Sequence, residues 1–213
     1  MFGVYVHIPF CASKCDYCAF ATWTDREHLV SSYLDAVRTE ISRAVSDGMA
    51  PASTIFVGGG TPTLVPPEAL ADVIASIPRV ADAEVTVECN PDDVTVEMLS
   101  TFRAGGVNRV SVGVQSMSPH VLASLGRIHE PVNVRRTVEA IREVDMSSFN
   151  LDLIYGAAGE SVDDWRRTVE AAMELDPPHV SAYGLTVEAG TPLAEQPDRH
   201  PDDDDQADKY ELV

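Results

Sequence analysis

An α/β fold with a parallel sheet is predicted for this sequence, in the form of a partial (β/α)6 barrel of the TIM-like kind. First, strand-length runs rich in β-branched residues alternate with segments of helical periodicity from one end of the chain to the other. Second, the intervals between successive strands are long enough to hold helices, so the strands pair in parallel through right-handed crossovers. Third, the glycine-rich and polar motifs follow or end different strands on their carboxyl side, where β/α barrels build their sites. That placement favours a barrel over a doubly wound open sheet. A complete barrel takes eight strands and about 250 residues. This chain has 213 residues and supplies six strand candidates, so the barrel is expected to be open on one side.

The strand candidates are Gly3–Ile8, Thr54–Val57, Glu84–Glu88, Arg109–Val114, Asn150–Ile154 and His179–Leu185. In the first, Val4, Val6 and Ile8 share one face; in the third, Val85 and Val87 lie opposite Thr86. Helical spacing joins Leu29, Tyr33, Leu34, Val37, Ile41 and Val45, then Leu70, Val73, Ile74 and Ile77 behind Pro66-Pro67. Met98, Leu99 and Phe102 mark a short helix, and Val134, Val138 and Ile141 another. Ser161-Val-Asp-Asp164 resembles a capping box ahead of Trp165, Val169 and Met173. Pro201 to Asp205 reads as a helix N-terminus with acids set against the positive end of the dipole. Ala207, Tyr210 and Val213 are expected to be the apolar face of that helix.

Lys plus Arg total 15 against 34 Asp plus Glu, a net charge of −19. This excludes nucleic-acid binding through a basic patch and membrane attachment through a polybasic one. At 45% hydrophobic and 23% charged, the composition is that of a globular chain. No stretch approaches the roughly 18 apolar residues of a transmembrane span. The first apolar run has no basic residue before it and is broken by His7 and Pro9, unlike a signal peptide. Cytoplasmic residence is the expectation.

Four cysteines are too few for a disulfide scaffold, and three of them crowd into eight residues: Cys11, Cys15 and Cys18, with Cys89 apart. Three thiolates on one loop can hold three irons of a cubane [4Fe–4S] cluster, leaving the fourth iron open to an outside ligand. A zinc site would need Cys89 or a histidine to complete it. Gly58-Gly59-Gly60 follows a strand where backbone approaches a ligand closely, or else is a strand-to-loop turn. Glu88 can accept hydrogen bonds from a diol or an ammonium, or stand as a solvated rim charge. Gln115 ends the fourth strand with an amide that donates and accepts at once, which suits a sugar hydroxyl. Asp152 lies within an apolar run, where a carboxylate needs a partner. Arg127 is one candidate. Cys89 neighbours Glu88 on a strand and so points to the other face, as a buried structural thiol. His7 is read as a satisfied histidine or a support near the cluster, and His129 as a helix-end hydrogen bond.

The cysteine spacing resembles the radical S-adenosylmethionine (SAM) superfamily. Further motifs are similar to its oxygen-independent coproporphyrinogen III oxidase group. They are Tyr5-Val-His-Ile-Pro-Phe-Cys11, Tyr17-Cys18-x-Phe20, Gly58-Gly-Gly-Thr-Pro-Thr63, Glu88-Cys-Asn-Pro91, Gly113-Val-Gln-Ser116, Leu125-Gly-Arg-Ile-His129, Asn150-Leu-Asp-Leu-Ile154 and Glu188-x-Gly-Thr-Pro192. They run in order over essentially the whole chain. The resemblance implies a [4Fe–4S] cluster on Cys11, Cys15 and Cys18, with SAM on the open iron. It places SAM contacts at Gly59, Gly60, Thr61, Glu88, Gln115, Arg127 and Asp152. It also assigns Tyr17 and the backbone of Gly184 to adenine, and Tyr5 to the cluster or adenine, with ordinary core as the alternative for Tyr5.

Within this group the oxidase branch carries a further cysteine two residues past the third, and a long extension before the first strand. Here Phe20 stands at the cysteine position and the sequence starts four residues before Tyr5. Both departures point to the heme-chaperone branch. That branch implies heme as cargo, an acceptor hemoprotein and an electron donor. The alternative is the oxidase itself, which decarboxylates porphyrinogen propionates. Residues 1–196 are expected to form the barrel. Residues 197–213 are expected to be an acidic linker and the start of a helix leading to a further C-terminal domain that holds heme.

Overall fold

In the computed structural model, which describes residues 1–212, six parallel strands form one sheet in the order β1-β2-β3-β4-β5-β6. They are β1 Gly3–Ile8, β2 Ala52–Gly59, β3 Arg79–Cys89, β4 Arg109–Gln115, β5 Ser148–Tyr155 and β6 His179–Gly184. A doubly wound sheet reverses its strand order at a switch point. Here the order follows the sequence throughout, and β1 and β6 are the two edges, as in a partial barrel open on one side. The helices are α1 Val30–Ser46, α2 Pro67–Ala75, α3 Val96–Ala104, α4 Pro119–Ser124, α5 Pro131–Glu143, α6 Val162–Met173 and α7 Asp203–Tyr210.

Strand side chains sort by parity. Val6, Ile8, Ile55, Val57, Val85, Val87, Val110, Val112, Leu151 and Leu153 are buried with Leu34, Leu70, Ile74, Leu99, Phe102, Val134, Val138 and Ile141 of the helices. This is the main core. The alternate residues face the lumen and are largely polar: His7, Thr86, Glu88, Ser111, Asn150, Asp152 and Ser181. The lumen therefore keeps room for a ligand where a closed barrel would fill it with branched side chains.

Three elements depart from the sequence expectation. β3 begins at Arg79, five residues before Glu84. Residues 79–82 have Val80 as their one large apolar side chain, so pairing of Arg79 with Ala52 across a register shift makes the extra strand. The six-residue α4 is too short to show helical periodicity. The third is the C-terminal segment. Asp202 caps α7 by accepting from the Asp205 amide at 2.9 Å, as the acidic run predicts. The expected apolar face, however, is turned out: Ala207 and Tyr210 are exposed, and Val213 lies outside the described residues. The residue turned inward is Lys209, fully buried. Its ammonium donates to the Glu160 carbonyl at 2.8 Å, to Asp205 Oδ2 at 2.5 Å and pairs with Glu160 Oε2 at 3.3 Å. Trp165 Nε1 donates to the Lys209 carbonyl, and Gln206 donates to that of Leu185. Residues 203–210 thus dock on α6 and the β5–α6 loop.

The capping box of α6 forms as expected: Ser161 Oγ accepts from the Asp164 amide, and Asp164 Oδ2 accepts from the Ser161 amide.

Lys209→Met leaves the Glu160 carboxylate buried without its cation, so chemical denaturation of this variant should show a loss of about 3–5 kcal/mol. The double variant Lys209→Met/Glu160→Gln should regain much of it, and a single-variant loss below about 1 kcal/mol would mean that the pair does not hold α7 in place.

Candidate functional site

The three clustered cysteines lie on the loop after β1, all partly exposed. The loop is closed at its base by Cys11 N–H donating to the Trp23 carbonyl and Trp23 N–H donating to that of Pro9. Its thiols line a cavity of about 750 Å³ at the carboxyl end of the sheet, a volume suited to a cofactor-sized ligand. Gly59 at the end of β2 and Gly60 after it, Glu88 of β3, Gln115 of β4, Asp152 of β5 and Gly184 at the end of β6 line the same cavity. Every strand from β2 to β6 contributes.

The glycine run serves the neighbours as much as a ligand. A Cβ on Gly58 would lie 2.5 Å from Glu88 Oε2; one on Gly59, where φ is +110°, would lie 2.4 Å from the His7 ring. A Cβ on Gly60 would lie 2.5 Å from the Phe10 carbonyl and 3.0 Å from Cys11 Sγ. The three amide donors here are already used. Gly59 N–H binds Glu88 Oε2, Gly60 N–H binds the Ile8 carbonyl, and Thr61 N–H binds the Phe10 carbonyl. None of these three amides is left to meet an anion.

Glu88 is raised above the usual carboxylate range, chiefly by burial. Its Gly59 hydrogen bond opposes that shift, the Asp152 charge adds to it, and His7 opposes it. Gln115 adopts φ +60° beside an irregularity in the β4–β5 register. A left-handed non-glycine residue at a strand end is costly and redirects its side chain, here into the cavity. Asp152 does not pair with Arg127, the partner suggested by the sequence. Its oxygens accept from Ser111 Oγ at 2.6 Å and Asn150 Nδ2 at 2.7 Å. Asn150 is in turn oriented by His179 and Ser181 at its Oδ1. Sequence reasoning missed Ser111 and Asn150, although the parity of Asn150 with Asp152 was a readable signal.

Arg127 instead spans the floor of the cysteine loop. It donates to Asn90 Oδ1 and the Gly113 carbonyl, and reaches to 3.7 Å from Cys15 Sγ. Tyr17 packs with Val121, Leu125, Ile154 and Leu185 beneath the loop, and burial pushes its hydroxyl well above the ordinary tyrosine value. Tyr5 does not line the cavity. It is exposed, stacks on Phe56 and bonds His7 Nδ1 at 3.0 Å. His7 Nε2–H donates to the Ala21 carbonyl at 2.9 Å, and Nδ1 faces the Tyr5 hydroxyl. The pair braces the far end of the cysteine loop.

The chain matches the radical SAM superfamily over residues 5–172. It belongs to that superfamily. Among curated relatives, it is 45% identical to the heme chaperone HemW of Mycobacterium tuberculosis over 100% of this chain and 57% of that protein. It is 36% identical to the heme chaperone HemW of Escherichia coli over 95% of this chain and 55% of that protein. The chain thus spans little more than half the length of these relatives. Among solved structures, the radical SAM enzyme coproporphyrinogen III oxidase (HemN) from Escherichia coli superposes with a TM-score of 0.87. The identity is 29%, covering 99% of this chain and 50% of that one. A radical SAM methyltransferase, TsrM from Kitasatospora setae, shares the fold at a TM-score of 0.66 and 19% identity.

The residues present fit the cluster and SAM that a radical SAM protein implies. Among the described residues no three Cys, His, Asp or Glu side chains converge on a single metal position. Tetrahedral zinc requires such convergence, whereas a cubane takes each thiolate on a different iron. Cys89 borders the cavity, but its side chain is buried in the main core with Sγ against the Val87 carbonyl at 3.7 Å, away from the loop of this radical SAM protein. Nor is His129 free as a ligand. It is buried, with Nε2 on the Val114 carbonyl and Nδ1 facing the Arg127 Nε donor.

Burial, then the Arg127 charge, lowers His129 from 6.5 to about 4. A depressed pKa gives stability that is complete above pH 6.5 and lost as pH falls toward 4. Wild type should therefore lose on the order of 3 kcal/mol more than His129→Gln across that window in pH-dependent denaturation. Equal losses would show that His129 is not held neutral.

Proposed function

We propose that this chain is the cluster- and SAM-binding part of a heme chaperone, a protein that binds heme and passes it to an acceptor hemoprotein. The observation that carries the reading is the 45% identity with a heme chaperone over the whole of this chain. Phe20 supports it. This exposed apolar residue stands at the cavity mouth where the oxidase branch has a cysteine. On this reading the heme-holding part lies in the length of those relatives that this chain does not span. The reading also calls for an electron donor, and for residence in the cytoplasm.

Cys11, Cys15 and Cys18 hold the cluster. When bound, the cluster supplies an electron and an open iron for SAM. The protein's own groups account for the rest. Acceptors along Gly59, Gly60 and Thr61 take the SAM amino group, and Glu88 takes a ribose diol or that same ammonium. Gln115 binds a sugar hydroxyl. Asp152 is presented by Ser111 and Asn150, which neutralise none of its charge and leave it attractive to a donor. Arg127 offsets negative charge at Cys15 from below. Tyr17 and the backbone at Gly184 bound the pocket on the adenine side and exclude water.

The oxidase is the second reading, favoured by the TM-score of 0.87 with coproporphyrinogen III oxidase. The two part in one experiment. Protein extended to the full length of those relatives is reconstituted anaerobically, loaded with heme and mixed with an apo-hemoprotein, and a matched sample receives coproporphyrinogen III, SAM and reductant. Heme transfer without decarboxylation is expected; decarboxylated porphyrinogen would establish the oxidase instead.

The SAM contact has its own test. Adding SAM should shift the EPR signal of the reduced cluster. Glu88→Gln, which removes a charge-assisted bond, should raise the SAM concentration needed by roughly 10- to 100-fold while leaving iron content unchanged. An unaltered titration would remove Glu88 from the site.

A further inference from the structure

Asp16 sits between Cys15 and Tyr17 and touches three separate parts of the fold. Its N–H donates to the Leu125 carbonyl at 3.2 Å, and its carbonyl accepts from the Leu193 N–H at 2.9 Å. Its Oδ2 accepts from Arg199 Nη2 at 2.8 Å. Gly126, at φ +69°, makes the approach possible: a Cβ there would lie 2.9 Å from the Asp16 nitrogen and Oδ1.

The partner segment is held in shape by its own bonds. Thr191 is buried; its Oγ1 donates to the Glu188 carbonyl at 2.7 Å and accepts from Ala194 N–H. His200 Nε2 bonds the Leu193 carbonyl at 3.0 Å. Arg199 is fixed by Gln196 Oε1 at 2.7 Å and also donates to the Ser124 carbonyl at the end of α4. The Arg199–Asp16 pair is more sheltered than a typical surface pair of this protein. Its side chains are 21% and 29% exposed, against 47% and 67% for Arg135–Glu174. Sheltered charge pairs lose less to solvent screening.

Between Cys11 and Cys18 no side chain is fully buried. The middle of the cysteine loop therefore depends on these polar ties and on Tyr17. The chemistry sharpens the point. An unpaired Asp16 carboxylate would add negative charge beside three thiolates, and Arg199 cancels it.

We propose that residues 191–199 are a strap that positions the cluster-bearing loop, with Arg199 as the positioning residue. This rests on the reading of Cys11, Cys15 and Cys18 as cluster ligands. The strap acts on the protein before loading: it holds Cys15-Asp16-Tyr17 in the arrangement that receives the cluster. It also gives a role to the Gly190-Thr191-Pro192 turn, which lies outside the cavity.

The test is amide hydrogen exchange on the apo chain, comparing wild type, Arg199→Ala and Arg199→Lys. In the alanine variant, exchange across residues 12–18 should rise at least fivefold, with β2 to β4 unchanged and lysine intermediate. After anaerobic reconstitution, a chelator should strip iron from Arg199→Ala at least threefold faster than from wild type. Unchanged exchange in 12–18 would overturn the strap, and so would an equal rise in the strands, which signals general loosening. A wild-type chain that takes up no cluster would instead bring down the cluster reading and, with it, this role for Arg199.

Discussion

Each strand of this sheet serves two environments at once, an apolar one against the helices and a polar one in the lumen, and that division governs the rest of the molecule. Side chains alternate across a strand with a period of two, so a shift of one residue would exchange the faces. Val85 and Val87 pack among the helices while Thr86 and Glu88 face the lumen, and Leu151 and Leu153 pack there while Asn150 and Asp152 face the other way. The outward face holds the fold together through hydrophobic burial. The inward face is then free to carry a ladder of polar groups, from Asn150 and Ser111 up to Asp152, Glu88 and the cysteine loop.

Placing carboxylates in a partly buried lumen has a cost, and the protein offsets it with neutral donors more than with cations. Asp152 is held by a hydroxyl and an amide, and Glu88 by a backbone N–H. Their charges remain available to a ligand, which a salt bridge would have consumed. Arg127 is directed elsewhere, beneath Cys15, where positive charge opposes that of thiolates. Even the glycines belong to this economy of space. Gly58 and Gly59 leave room for the Glu88 carboxylate and the His7 ring, so the ligand-facing surface is shaped from behind.

The cysteine loop and α7 show the same reliance on polar ties outside the core. The loop is tied by Asp16, and α7 is tied by a buried lysine in place of an apolar stripe. The loop follows β1 and its tie reaches the segment after β6, while α7 meets α6 and the loop after β5. With a net charge of −19, each well-placed cation carries more weight than in a balanced chain.

By itself the sequence determined the alternation of elements, the parallel sheet, the capping box at Ser161, the three-thiol loop and the lumen positions of Glu88, Gln115 and Asp152. These are local signals: period, spacing and parity are written within a few residues of one another. Tertiary structure alone decided what those groups touch. Tyr5 leaves the cavity because His7 takes its hydroxyl, and Arg127 leaves Asp152 because Gly113 and Asn90 lie closer to its guanidinium. Lys209 turns inward because Glu160, 49 residues away in sequence, is there to meet it. Arg199 reaches Asp16 across 183 residues. No periodicity records a contact at such range, since it comes into being only when the sheet has curved and brought the two ends of the chain to one rim.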